Sequence, residues 1–138
     1  MNAVLIDTSV WSLGLRRKRR DLNPLELKSF FEWEQLLING YAAIIGLIRQ
    51  EILSGIASPT MFESIRRRLA HTPDLALPPD TYTLAAEFYN RCRATGSAPG
   101  PIDMTICAAA HTHNTPIFTT DPDFLRYAKI LPIHLYHP

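Results

Sequence analysis

Two short apolar runs in this chain each break off on an aspartate: Ala3 to Ile6 on Asp7, and Ile117 to Thr120 on Asp121. Runs this brief, rich in branched side chains and bounded by cap and turn residues, suit strands buried on both faces of a sheet. A third run, Tyr41 to Ile45, has the same character. Stretches of helical period separate the three. Strands alternating with helices specify an α/β chain, and the expected architecture is a three-layer α/β/α sandwich around a mainly parallel central sheet. In such a sheet the ligand site lies outside the carboxyl ends of the strands, where the connectivity reverses. Asp7 and Asp121 both stand at such ends.

The helices are signalled by their termini. Asn23 is a cap, Pro24 takes the first helical position, and Glu26 is placed to return a bond to the cap backbone. Leu27, Phe30, Phe31, Leu37 and Ile38 then follow a 3.6-residue period until Asn39-Gly40. Leu47 to Ile56 has helical periodicity, and Ser58-Pro59 caps a helix carrying Met61, Phe62, Ile65 and Leu69. Asp80 is expected to cap a long helix that runs through Cys92 and closes at Gly96, and Asp103 to His113 forms another. The tail from Lys129 to Tyr136 reads as an edge strand interrupted by Pro132.

With 138 residues, 46% hydrophobic and 20% charged, the expectation is a single domain over residues 1–138, too apolar for disorder. The longest apolar run, Tyr41 to Ile48, is well short of the ~18–20 residues of a membrane span. The first residues carry neither a basic leader nor a cleavage pattern, so the expected location is the cytoplasm, away from membranes. Cys92 and Cys107 are too few for a zinc site or a disulfide framework. The nucleophile elbow of serine hydrolases, the phosphate-binding loop and the dinucleotide fingerprint are all missing from the sequence. A net charge of +1 conceals two basic blocks, Arg16 to Arg20 and Arg66 to Arg68, each of them either a solvated face or a phosphate contact.

Four acids stand where packing alone would not place them. Asp7 and Asp121 end strands, Glu51 lies in an apolar helix between Gln50 and Ile52, and Asp103 is in the first turn of an almost uncharged helix. Crowded carboxylates repel and take up protons unless a cation neutralises them. A hard divalent ion, Mg²⁺ or Mn²⁺, does so with carboxylate and water ligands, and such a centre suits phosphodiester hydrolysis. Each acid also has an ordinary use: Asp7 as a helix cap, Asp103 as a partner of the helix dipole, Asp121 before Pro122 as a turn former. Glu51 is the exception, because a carboxylate on an apolar face needs a partner.

At this point the chain resembles the PIN-domain ribonucleases, most closely the VapC-type toxins of VapBC toxin–antitoxin pairs. The matching stretches are Asp7-Thr8-Ser9-Val10-Trp11, Arg49 to Gly55, Asp103 to Ala110 and Ile117 to Phe124, in that order. The resemblance implies a PIN-like fold and a Mg²⁺- or Mn²⁺-dependent endoribonuclease with Asp7, Glu51, Asp103 and Asp121 as its acidic set. Asp7, Asp103 and Asp121 would bind the metal, and Glu51 would hold water or help to activate the nucleophile. Thr8 or Ser9 would orient Asp7, and Thr119 would lend a hydroxyl near the scissile phosphate. Asp123 is either a supporting acid or the cap of a short turn at Phe124. Similar toxins form homodimers and are silenced by a small VapB-like antitoxin that enters the active-site groove.

Met104-Thr105 after Asp103 departs from the commoner family pattern, and His111 and His113 are unusual at the end of that helix. Two residues apart, these histidines cannot form a side-by-side metal pair on a helix. Trp11, Phe30, Phe31 and Trp33 are core or dimer contacts, with base stacking as the other reading. Two further functions compete with the toxin: a housekeeping RNA-processing nuclease, and a non-catalytic RNA- or protein-binding module. The intact acidic set argues against the module, and the small size of the chain favours the toxin.

Overall fold

The computed structural model describes residues 2–138. Val4–Ile6 forms β1, Ala42–Ala43 forms β2 and Ile117–Phe118 forms β3. They pair in parallel in the order β2-β1-β3, with Leu5 opposite both Ala43 and Ile117. The chain therefore leaves β1 toward one edge and later returns to its other side. Connectivity reverses at the carboxyl end of β1, where Asp7 stands. Isolated parallel bridges extend the sheet at both edges, Ile44 with Asp74 and Leu135 with Ile117.

Among the described residues seven α-helices surround the sheet: α1 (Thr8–Leu15), α2 (Pro24–Ile38), α3 (Gly46–Leu53), α4 (Pro59–Leu69), α5 (Pro79–Ala94), α6 (Pro101–His113) and α7 (Asp123–Ile130). In chain order α1 to α4 pack among themselves, and α5 packs on α6 and α7. This is the α/β sandwich expected, with every strand pair parallel. None of the helices among the described residues is long and apolar enough to cross a membrane.

The start of α2 follows its sequence signature. Asn23 accepts from the Glu26 N–H at 2.8 Å, and Glu26 accepts from the Asn23 N–H at 3.0 Å. Two other starts differ from expectation for one reason, a proline further upstream. Pro79 takes the first position of α5 and forces Pro78 into an extended conformation as the cap, so Asp80 falls inside the first turn. Pro101 likewise opens α6 ahead of Asp103, with Gly100 as the cap. The tail is also corrected. Lys129 and Ile130 belong to α7, and only Leu135 bridges to β3, through the Ile117 N–H to His134 carbonyl bond at 2.9 Å and the Tyr136 N–H to Ile117 carbonyl bond at 2.8 Å.

The core carries Trp11, Phe30 and Trp33 from the first half, while Phe31 is exposed. Trp11 and Trp33 meet edge to face at 5.8 Å, and the Trp11 indole N–H donates to the Ile6 carbonyl at 3.0 Å. Trp11, Phe30 and Trp33 are buried, which removes them from base stacking. Cys92 and Cys107 are buried free thiols, both pushed upward in pKa by burial. The two histidines of α6 tie down neighbouring segments: His111 Nδ1 donates to the Pro132 carbonyl at 3.1 Å and His113 Nε2 to the Ala76 carbonyl at 2.6 Å.

Candidate metal centre

Asp7 is held where β1 and β3 end side by side, its N–H donating to the Phe118 carbonyl at 2.9 Å. It occupies the cap position of α1, yet its side chain caps nothing. One carboxylate oxygen, Oδ2, instead accepts from Ser9 Oγ at 2.9 Å and Thr119 Oγ1 at 2.8 Å. Those hydroxyls are oriented in turn by backbone N–H groups of the loop after β3. Thr120 N–H donates to Ser9 Oγ, and Asp121 N–H donates to Thr119 Oγ1, both at 3.0 Å. Each hydroxyl accepts from the loop and donates to the acid. Asp7 is only 6% exposed, and this bracket compensates its lost hydration while Oδ1 stays outside it. The plain helix-cap reading of Asp7 is therefore overturned.

Asp103, Asp121 and Asp123 converge beside it. Each offers an oxygen, and the three oxygens lie within 4.8 Å of one another. Asp103 comes from the first turn of α6, Asp121 from the loop after β3 and Asp123 from the start of α7. Asp121 Oδ1 also accepts from the Asp123 N–H at 2.9 Å, so the turn-forming reading of Asp121 holds alongside its membership of the cluster. Burial raises the pKa of Asp103 to about 6, and the charges of Asp7, Asp121 and Asp123 add to that rise. Tyr127 opposes it by donating its hydroxyl to Asp103 Oδ2 at 3.0 Å. The phenol is itself pushed upward in pKa by burial and by that neighbouring carboxylate.

An all-oxygen set of half-buried acids, in which burial and the neighbouring charges push Asp103 up in pKa, is short of positive charge, and a hard divalent cation fits it. Of the residues expected at the metal, Asp103 and Asp121 are in the tight group. Asp7 lies just outside it but is electrostatically coupled to Asp103. Asp123, left open in the sequence, belongs to the group.

Glu51 does not. Ile48 and Ile52 form the buried stripe of α3, and Glu51 falls outside that stripe on the exposed side. The expectation of a carboxylate on an apolar face is thus corrected. Among the described residues it has no hydrogen bond or ion pair. Of Thr8 and Ser9 it is Ser9 that bonds Asp7, whereas Thr8 Oγ1 is buried with no partner among the described residues. Thr119 directs its hydroxyl to Asp7.

Two contributors, the helical placement of Asp123 and the hydroxyl of Tyr127, were missed. The spacing of Phe124, Tyr127 and Ala128, on an amphipathic segment beginning right after Pro122, was the available signal.

The first basic block is largely engaged elsewhere. The Arg16 guanidinium donates to the Ile52 carbonyl, Arg17 pairs with Glu26 at 3.3 Å, and Arg19 pairs with Glu34 at 3.7 Å. In the second block Arg66 and Arg67 both pair with Glu63.

The model of the family described as PIN domain matches residues 4–130. Solved structures share the fold over nearly their whole length. FitAcB from Neisseria gonorrhoeae has a TM-score of 0.70 at 16% identity, covering 98% of this chain and 97% of that one. VapBC2 from Rickettsia felis, bound to a DNA fragment from their promoter, has a TM-score of 0.69 at 16% identity, covering 97% of each chain. DNA-bound VapBC from Salmonella typhimurium has a TM-score of 0.70 at 14% identity, covering 99% and 98%. No curated protein matches the sequence closely enough to count as a relative.

Proposed function

The chain belongs to the PIN-domain family, whose members are generally nucleases, and on that premise we propose that it is a metal-dependent endoribonuclease acting as the toxin of a toxin–antitoxin pair. The observation that carries this reading is the meeting of Asp103, Asp121 and Asp123 beside the bracketed Asp7 at the switch point of the sheet. Asp7, Asp103 and Asp121 are the proposed ligands of Mg²⁺ or Mn²⁺, with Asp123 as a fourth acid of the site. When bound, the ion supplies charge stabilisation to the phosphate oxygens and acidifies the attacking water.

The chain's own residues supply the positioning. Ser9 and Thr119 hold Asp7 Oδ2 and so select Oδ1 as its available oxygen. Tyr127 holds Asp103 Oδ2 and keeps that acid more readily ionised than burial alone would. Glu51, on the exposed side of α3, is assigned by family resemblance to hold water or accept its proton.

RNA is the proposed substrate and a VapB-like antitoxin the proposed partner, supported by the FitAcB and VapBC structures with which the fold is shared. A single cytoplasmic domain working as a homodimer completes the proposal. Exposed Tyr82 and Ile102, near the contact between α5 and α6, support an apolar contact between copies.

The test is cleavage of defined RNAs by wild type, Asp7→Asn and Asp103→Asn, in EDTA and in Mg²⁺ or Mn²⁺. Cleavage should need the metal and both acids. Full metal-dependent activity in either pure variant would overturn the site.

A further inference from the structure

Beside the acidic cluster lies a cleft of about 550 Å³ lined by Thr95 to Ala98 on one side and by Arg126, Lys129 and Ile130 on the other. One wall is the loop after α5, and the other is the outward face of α7. Asp123, Arg126 and Lys129 recur every three residues along α7, while Phe124 and Tyr127 on its other side are buried. An α-helix rises about 1.5 Å per residue, so successive members of this series are displaced by roughly 4.5 Å along the axis. The series begins with an acid of the metal centre and continues with two cations leading away from it.

Arg126 links the two features directly. Its guanidinium is 3.1 Å from Asp123 Oδ1, and it also lines the cleft. Lys129 has no ion pair among the described residues. Both cations are therefore available to an anion in the cleft, Lys129 outright and Arg126 in exchange for Asp123. A divalent cation held by Asp123 would weaken that carboxylate's hold on Arg126 and so favour the exchange.

We propose that Arg126 and Lys129 form a phosphate clamp that holds the RNA backbone one or two nucleotides from the bond being cut. This rests on the proposed nuclease function and adds the residues that seat its substrate. The cleft lining has no aromatic side chain, so it offers cations to phosphates and no stacking surface to bases. The clamp therefore sets the register of the strand and leaves base preference to other parts of the surface. Arg126 and Lys129 are positioning residues, because they hold phosphates other than the reacting one.

The experiment measures binding of a fluorescein-labelled single-stranded RNA of about ten nucleotides by anisotropy, over a series of salt concentrations in Mg²⁺. It is done in an Asp103→Asn background, which by the proposed function binds without cutting. Adding Arg126→Gln or Lys129→Gln should each weaken binding by roughly five- to tenfold, and each should flatten the slope of log affinity against log salt by about 0.7. Lys28→Gln, on the exposed side of α2, is the comparison and should change both far less. Arg126→Lys should restore much of the affinity. Unchanged affinity and slope in both cleft variants, or an equal loss in Lys28→Gln, would overturn the clamp. A folded Asp103→Asn parent that binds no RNA even at low salt, when the wild type binds Mn²⁺ but cuts none, would instead overturn the nuclease reading on which the clamp rests.

Discussion

Tyr127 reaches across from α7 to donate its hydroxyl to Asp103 Oδ2, at 3.0 Å and over 24 positions of sequence. The bond joins the first turn of α6 to the middle of α7, and Asp123 stands one turn before Tyr127 on the same helix. Two of the clustered acids thus owe their relative placement to this helix. Tyr127→Phe removes the hydroxyl and keeps the buried ring. Because the bond favours the ionised acid, its loss should raise the pKa of Asp103 further. The pH midpoint of Mn²⁺ binding, followed by calorimetry, should move upward by several tenths of a unit to about one unit with the fold retained. An unmoved midpoint would remove Tyr127 from the site.

Asp103 also makes stability depend on pH in a definite direction. Its folded value of about 6 lies above the ordinary 3.8, so between these values the folded protein holds more of the proton than the unfolded chain. Metal-free stability should therefore be greatest below about pH 4 as far as this group is concerned, and should fall as pH rises through 6. Allowing for partial exposure, the cost at pH 7 is on the order of 2 kcal/mol. Asp103→Asn should be the more stable protein at pH 7 without metal, and urea unfolding should show that advantage shrinking toward pH 4. Mn²⁺ should reverse the ranking, since the asparagine variant lacks one of the proposed ligands.

The bracket on Asp7 predicts unequal variants. Ser9→Ala removes one donor to Oδ2, while Thr119→Val removes the other and also leaves the Asp121 N–H without its acceptor. Each should cost about 1–3 kcal/mol, with Thr119→Val the worse. Chemical denaturation of both single variants and the double variant tests this, and the double cost should differ from the sum because both hydroxyls serve one carboxylate. Thr8→Val, which removes a buried hydroxyl with no partner, should be neutral or stabilising. Equal losses at Thr8 and Ser9 would contradict the assigned network.

Gly14 is required by packing. A Cβ built there would stand 2.3 Å from the Trp33 ring, which is fully buried between helices. Gly14→Ala should gain about 1 kcal/mol of helix propensity and lose more to overpacking, for a net loss of roughly 1–2 kcal/mol. Thermal unfolding of this variant would show it, and an unchanged or raised melting temperature would mean that the α1–α2 contact yields easily.

The sequence by itself determined the features that depend on near neighbours. The Asn23-Pro24-Glu26 capping box, the branched run of β1 and the aspartate at its end are local patterns that the structure keeps, whereas β3 stops at Phe118 and leaves Thr119, Thr120 and Asp121 in the loop after it. Strand-end geometry then brought Asp7 and Asp121 to one edge, because parallel strands of one sheet share their carboxyl side. Where a local reading went astray, as at Asp80 or the tail, a stronger local signal had been passed over: a proline upstream, or the amphipathic period of α7.

Tertiary structure alone decided how the acids are used. Helical period defines a buried stripe but not how that stripe seats against the sheet, and that seating leaves Glu51 exposed on α3 while Asp123 enters the cluster from α7. Asp7 was equally able to cap its helix. It does not, because Thr119, brought in from 112 positions away, gives its carboxylate a hydroxyl donor, and no local pattern could show that donor. The raised pKa of Asp103 has the same origin: burial and charge repulsion exist only once the acids share one partly buried space.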